Sequence, residues 1–320
     1  MKEQAVLFGK DRSLVGVVTD PPEKKRGMDL PAVIFLNSGI VHRVGPNRIY
    51  VKMARHLSAM GFVVMRFDFS GIGDSQPRRD NLPFVKSAIS EVQEAMGCLK
   101  EVRGVGHFVL IGGCSGARIS FQAACQDARV VAAFLINYNR GPADANQPAN
   151  TELASRPTAS YYWRFALFNP ESWRRFFTGR ADYVRIARAL GFQLKRRFTH
   201  KEATPETIQC TANIRLLAER RVRVLFVWSD GDPGVDELRG GGVEDLVKLG
   251  DVGLHVIPKT DHTFSSLHDQ RHLLDALGKW ASDMVPAGCR GPSTRWKEAA
   301  LEARRPSVRL SSSTGLNSTV

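Results

Sequence analysis

The stretch Phe108-Val-Leu-Ile-Gly-Gly-Cys-Ser-Gly-Ala-Arg118 decides the fold. A run of apolar residues ends in two glycines, followed by Cys114 and Ser115, then Gly116 and Ala117. This is the pattern of a buried strand that turns sharply into a helix and holds a nucleophilic side chain at the apex. Small residues two before and two after the apex let the turn close, because a side chain there would strike the neighbouring backbone. The following helix directs its N-terminal amides and positive dipole end at the apex, which favours an anion there. Either Cys114 or Ser115 can stand at that apex.

Similar apolar runs lie on both sides of this stretch. Residues 32–36, 62–67, 130–136, 222–228 and 253–257 read as strands, and the continuous ones read as covered on both faces. Helical spacing separates them over 47–60, 84–102, 116–125, 236–249 and 268–284. Residues 5–8 and 14–18 read as a leading hairpin. Strand alternating with helix at this spacing predicts an α/β fold, a mostly parallel sheet flanked by helices. The rhythm breaks over 139–219, which reads as a helical cap insertion containing the run Tyr161-Tyr-Trp-Arg-Phe-Ala-Leu-Phe168. The core is therefore expected in 1–138 and 220–285, and 286–320 is expected to be a basic, disordered tail.

A chain of 320 residues with 43% hydrophobic and 24% charged residues has the composition of a packed domain. The first thirty residues contain no apolar signal core, and no run approaches the ~18 apolar residues of a membrane span. Five cysteines at scattered positions do not suggest a disulfide framework or a metal knuckle, so a cytoplasmic chain with reduced thiols and no metal is expected. The net charge of +13 is uneven: residues 164–223 hold fourteen Lys/Arg against five Asp/Glu. Such an excess is either a solvated helical face or a footprint for an anionic small-molecule substrate. No RNA-binding or zinc-finger signature accompanies it, so nucleic acid is not expected.

A nucleophile at an elbow needs a base, and the base needs an acid to set its tautomer. Both are expected at the carboxyl ends of later strands. Asp230 and Asp232 follow the strand over 222–228, and Asp261-His262 follows the strand over 253–257.

The order nucleophile, Asp, His resembles the α/β-hydrolase superfamily. The resemblance covers about residues 30–285, apart from the insertion, which takes the place of that family's cap. The family's Gly-x-nucleophile-x-Gly elbow fits Gly112-Gly113-Cys114-Ser115-Gly116 and implies Cys114 as nucleophile. The frame one residue on makes Ser115 the nucleophile and needs Ala117 in place of the last glycine. Asp232-Pro233 resembles the family's acid loop better than Asp230 does, and Asp261-His262-Thr-Phe resembles its histidine loop. His255 and His268 are expected to be structural.

The implied oxyanion donors are the amides of Ser115 and of a residue near Ile40, because Asn37-Ser-Gly-Ile40 replaces the common His-Gly signature. Asp68-Phe-Ser-Gly-Ile-Gly-Asp-Ser75 resembles the family's glycine-rich loop. The combination of these loops with Tyr161-Tyr-Trp-Arg is similar to bacterial hydrolases associated with exosortase and exopolysaccharide clusters. His42 and Arg43, which either face substrate or cap the next helix, are candidate substrate contacts, as are Tyr162 and Trp163 in the cap.

The resemblance implies a hydrolase acting on an ester or thioester through an acyl-enzyme, without a cofactor. An acyltransferase, a Ser115-dependent esterase or peptidase, and a non-catalytic binding protein of the same fold are the alternatives.

Overall fold

The computed structural model describes residues 1–25, 29–138, 205–230, 232, 234 and 251–285. Its strands are β1 (Lys2–Phe8), β2 (Leu14–Asp20), β3 (Ala32–Leu36), β4 (Val64–Phe67), β5 (Phe108–Gly113), β6 (Val130–Ile136), β7 (Arg223–Ser229) and β8 (Val252–Ile257). Among the described residues, five α-helices accompany them: α1 (Ile49–Met60), α2 (Phe84–Arg103), α3 (Ser115–Gln126), α4 (Pro205–Glu219) and α5 (Leu267–Ser282).

The strands join into one eight-stranded sheet in the order β1-β2-β4-β3-β5-β6-β7-β8. β2 runs antiparallel to β1 and β4, and every pair from β4 onward is parallel. The architecture is an α/β fold, an eight-stranded mixed sheet flanked by helices.

Alternation along each strand divides the core into two layers. Ile34, Leu36, Phe108, Leu110, Leu135, Phe226 and Trp228 pack on one face with α2, α3 and α4. Val33, Phe35, Val109, Ile111, Phe134 and Val227 pack on the other with α1 and α5. Each such side chain, when fully buried, contributes about 1.5–3 kcal/mol of hydrophobic stabilisation. The apolar runs are continuous because both faces are covered.

α4 belongs to this core. Its Cys210, Ile214 and Leu217 are buried against the sheet. The core therefore begins to resume within 205–219, a stretch expected to belong wholly to the insertion. Residues 139–204, with Tyr162 and Trp163, the expected helix over 236–249 and the tail 286–320 lie outside the described residues.

The sheet order also places the crevice. After β3 the chain crosses to β4 on one side, and β5 then enters on the other side of β3. The loops leaving the carboxyl ends of β3 and β5 meet at that change of direction, where open α/β sheets bind ligands. No helix among the described residues is long and apolar enough to cross a membrane.

Candidate active site

Cys114 occupies the turn between β5 and α3 with φ 54° and ψ −114°, outside the regions a non-glycine residue ordinarily adopts. Surrounding structure over-determines this backbone. The Cys114 amide donates to the Ile136 carbonyl at 2.9 Å, continuing the β5–β6 ladder. A Cβ on Gly112 would lie 2.3 Å from the Gly116 carbonyl carbon, and one on Gly116 would lie 2.4 Å from the Asn37 oxygen. Glycine at these two positions lets β5, α3 and the end of β3 touch through backbone. Between the two candidates, the sharp elbow conformation belongs to Cys114, and Ser115 is the first residue of α3.

Three side chains converge here from separate strand ends. His262 hydrogen-bonds to Cys114, and its Nδ1 lies 2.5 Å from Oδ2 of Asp232. Asp232 is 3% exposed, and its other oxygen accepts the Gly234 amide at 2.7 Å. The hydrogen bond to Asp232, followed by that to Cys114, raises the imidazole to about 10 against the opposing effect of burial. Asp230 instead donates its amide to the Ile257 carbonyl, holding the β7 end to β8.

The histidine loop is held by its own first residue. Asp261 accepts from the amide and hydroxyl of Thr263, both at 2.8 Å, and from the Ser265 amide at 3.1 Å. Burial pushes the Asp261 carboxyl up, but hydrogen bonds from Ser265 and Thr263 outweigh it and hold the group below its ordinary value. His255 is exposed on β8, and His268 pairs with His272, their Nε2 atoms 3.1 Å apart on α5.

The loop after β3 turns between Ser38 and Val41, closed by the Val41 amide on the Ser38 carbonyl at 3.1 Å. Gly39 has φ 58° at the tip, and its amide turns inward to Oγ of Ser115 at 2.8 Å. Ile40, the residue expected to mark the second oxyanion amide, follows Gly39 at the same tip with its side chain 92% exposed.

Arg43 is engaged by two carboxylates of the glycine-rich loop. Its guanidinium pairs with Asp68 and, at 2.6 Å, with Asp74, and its amide donates to Asp68 Oδ1 at 2.5 Å. Asp68 is fully buried, and Asn37 Nδ2 also donates to it, at 3.2 Å. Asn37 Oδ1 accepts the Phe69 amide at 2.8 Å. These bonds join the loop after β3 to the glycine-rich loop after β4. His42 is exposed.

Two positions absent from the expectations support the site. Asn137, buried at the end of β6, donates from Nδ2 to the His262 carbonyl and accepts the Ser229 amide on Oδ1, each at 2.8 Å. A polar residue directly after the buried run 130–136 was its visible signal. Tyr50, 2% exposed near the start of α1, accepts the Gly113 amide on its hydroxyl at 2.8 Å. No three His, Cys, Asp or Glu side chains among the described residues group as a metal site.

The chain resembles an esterase from Pyrococcus furiosus at 13% identity and TM-score 0.53, covering 88% of this chain and 92% of that one. It resembles a proline iminopeptidase from Mycobacterium smegmatis at 16% identity and TM-score 0.52, covering 94% and 100%. A dienelactone hydrolase from Anabaena variabilis matches at 13% identity and TM-score 0.51, covering 88% and 97%. At these identities the likeness is one of fold. No curated protein matches the sequence. The model of the alpha/beta hydrolase family matches residues 33–276, from within β3 into α5, and this chain belongs to that family.

Proposed function

We propose that this α/β hydrolase cleaves an ester or thioester through a covalent acyl-enzyme on Cys114. The observation that carries the reading is the contact series from Cys114 to His262 to Asp232, assembled from the ends of β5, β8 and β7. Sγ attacks the carbonyl carbon as a thiolate whose proton is held by His262. The new C–S bond sends the carbonyl π electrons to oxygen, where the amides of Ser115 and Gly39 receive the charge, the latter exchanging Ser115 Oγ for the oxyanion. Collapse expels the alkoxide or thiolate, which takes the His262 proton. Water, deprotonated by the now neutral imidazole, then attacks the thioester and releases the acid and Cys114. Asp232 fixes the imidazole through Nδ1 and stabilises its cation.

The test is acyl trapping with a p-nitrophenyl ester on wild type, Cys114→Ala and Ser115→Ala, with mass spectrometry of the trapped species. The expected result is a nitrophenol burst and an acyl adduct on Cys114 in wild type and Ser115→Ala. A burst that survives in Cys114→Ala and vanishes in Ser115→Ala would overturn the assignment. An acyl group delivered to an added amine faster than to water would move the reading from hydrolase to acyltransferase.

A further inference from the structure

The residues on both sides of Cys114 are tied to the same loop by different routes. On one side the Gly113 amide donates to the Tyr50 hydroxyl at 2.8 Å. On the other, Oγ of Ser115 accepts the Gly39 amide at 2.8 Å. Ser38 connects the two: its side chain hydrogen-bonds to the Tyr50 hydroxyl, and its peptide leads directly to Gly39. A Cβ built on Gly113 would lie 3.2 Å from the Tyr50 hydroxyl oxygen and 3.4 Å from Ser38 Oγ, so both hydroxyls sit against the elbow.

The need for a phenol follows from the sheet. Gly113 is the last residue of β5, and β3 ends at Leu36, paired with Gly112. The next β5 amide on that side has no strand carbonyl to meet. The hydroxyl of Tyr50 takes the carbonyl's place, as a buried N–H requires. The phenol oxygen retains its own proton, and its second lone pair takes the Ser38 hydroxyl beside it. Burial pushes the phenol well above its ordinary value, the Gly113 amide and the Ser38 hydroxyl opposing and the nearby Cys114 charge adding to it, so Tyr50 keeps that proton at any working pH.

We propose that Tyr50 is a positioning residue for the reaction on Cys114: with Ser38 it closes a ring, Gly113–Tyr50–Ser38–Gly39–Ser115, that sets the oxyanion amides against the nucleophile. The proposal rests on the acyl-enzyme reading above. The ring fixes the separation between a loop amide and an elbow amide, and misplacing an oriented group by about 1 Å can cost on the order of 100-fold in rate.

The experiment compares an oxygen ester and the thionoester of the same acyl group on wild type, Tyr50→Phe, Ser38→Ala and the double variant. A thionoester puts sulfur, a poor acceptor of N–H bonds, where the oxyanion forms. Its rate ratio to the oxygen ester therefore reports the alignment of the oxyanion amides and not the amount of folded protein. The expected result for Tyr50→Phe is a kcat on the oxygen ester lower by about 10- to 100-fold with little change in KM. The oxygen-to-thiono ratio should fall by a similar factor. The double variant should lose less than the product of the single losses, because both changes open one ring. Should Tyr50→Phe fold poorly, Ser38→Ala carries the test, since it leaves the aromatic packing in place. Ratios equal to wild type in a folded variant would overturn the ring. A wild-type chain that forms no adduct on Cys114 would overturn the acyl-enzyme reading and this proposal with it; an adduct with unchanged ratios removes this proposal alone.

Discussion

The amide of Gly39 donates to Oγ of Ser115 at 2.8 Å, and this bond separates two neighbouring nucleophile candidates. Ser115 is engaged by the loop after β3, while Cys114 is engaged by His262. Removing Cys114 as Cys114→Ala is expected to lower turnover roughly 10⁴- to 10⁶-fold, the cost of losing a nucleophile that acts with its base as a unit. Ser115→Ala removes one neutral hydrogen bond, about 0.5–1.5 kcal/mol, and should cost about tenfold or less. Steady-state rates on one ester decide between them, and a reversed ranking would return the nucleophile to Ser115.

The charge state of His262 yields a pH prediction. Its folded-state value of about 10 stands above its ordinary 6.5, chiefly through Asp232 and then Cys114. A group raised on folding stabilises the protein fully below 6.5, loses that contribution as pH rises, and contributes none above about 10. Chemical denaturation of wild type at pH 6, 8 and 10 should show stability falling across this window, and Asp232→Asn should flatten the slope. Parallel slopes in the two proteins would show that His262 does not carry the dependence.

The sheet and the elbow were legible for the same reason: each depends on residues close together in the chain. Apolar runs such as 130–136 announce strands covered on both faces, and the glycines at 112 and 116 announce a turn where backbones touch. The Asp–His partners were legible only through their order. Long-range polar pairing was hidden. Arg43 and Asp68 lie 25 residues apart, and nothing local indicates that one neutralises the other. Tyr50 reads as one more apolar residue of α1 until β3 is seen to stop one residue short of pairing with Gly113. The Gly39 amide reaches Ser115 through a turn with a positive φ angle, a long-range contact that no local pattern spells out.

The Arg43–Asp68 pair predicts a loss that is structural first. Asp68 is fully buried, and Arg43 gives it both guanidinium and backbone hydrogen bonds. Arg43→Ala would strand a buried carboxylate, which costs about 3–5 kcal/mol when such a pair is broken on one side. The loop that carries Gly39 should loosen with it. Thermal unfolding should shift down by many degrees, with turnover reduced even well below the transition. Asp68→Asn with Arg43→Ala should recover part of that stability, because the stranded charge is gone. A single variant as stable as wild type would show the ion pair to be dispensable.

Asn137 separates folding from positioning at a single residue. Its φ of 48° is one that glycine adopts more readily than alanine. Its amide group donates to the His262 carbonyl and accepts from Ser229, joining the histidine loop to the end of β7. Asn137→Ala loses both bonds and adds backbone strain, about 1–3 kcal/mol for the unsatisfied buried groups and about 1–2 kcal/mol for the conformation. Asn137→Gly loses the same bonds without the strain, so it should be the more stable of the two by denaturant midpoint. Turnover should not follow that order. Neither variant can hold the His262 carbonyl, so both should show a similarly reduced kcat, and the His262 ring resonances should broaden in both. If kcat instead tracks stability, with Asn137→Gly close to wild type, the bond to His262 serves folding alone and the histidine is positioned by Asp232 and its own loop.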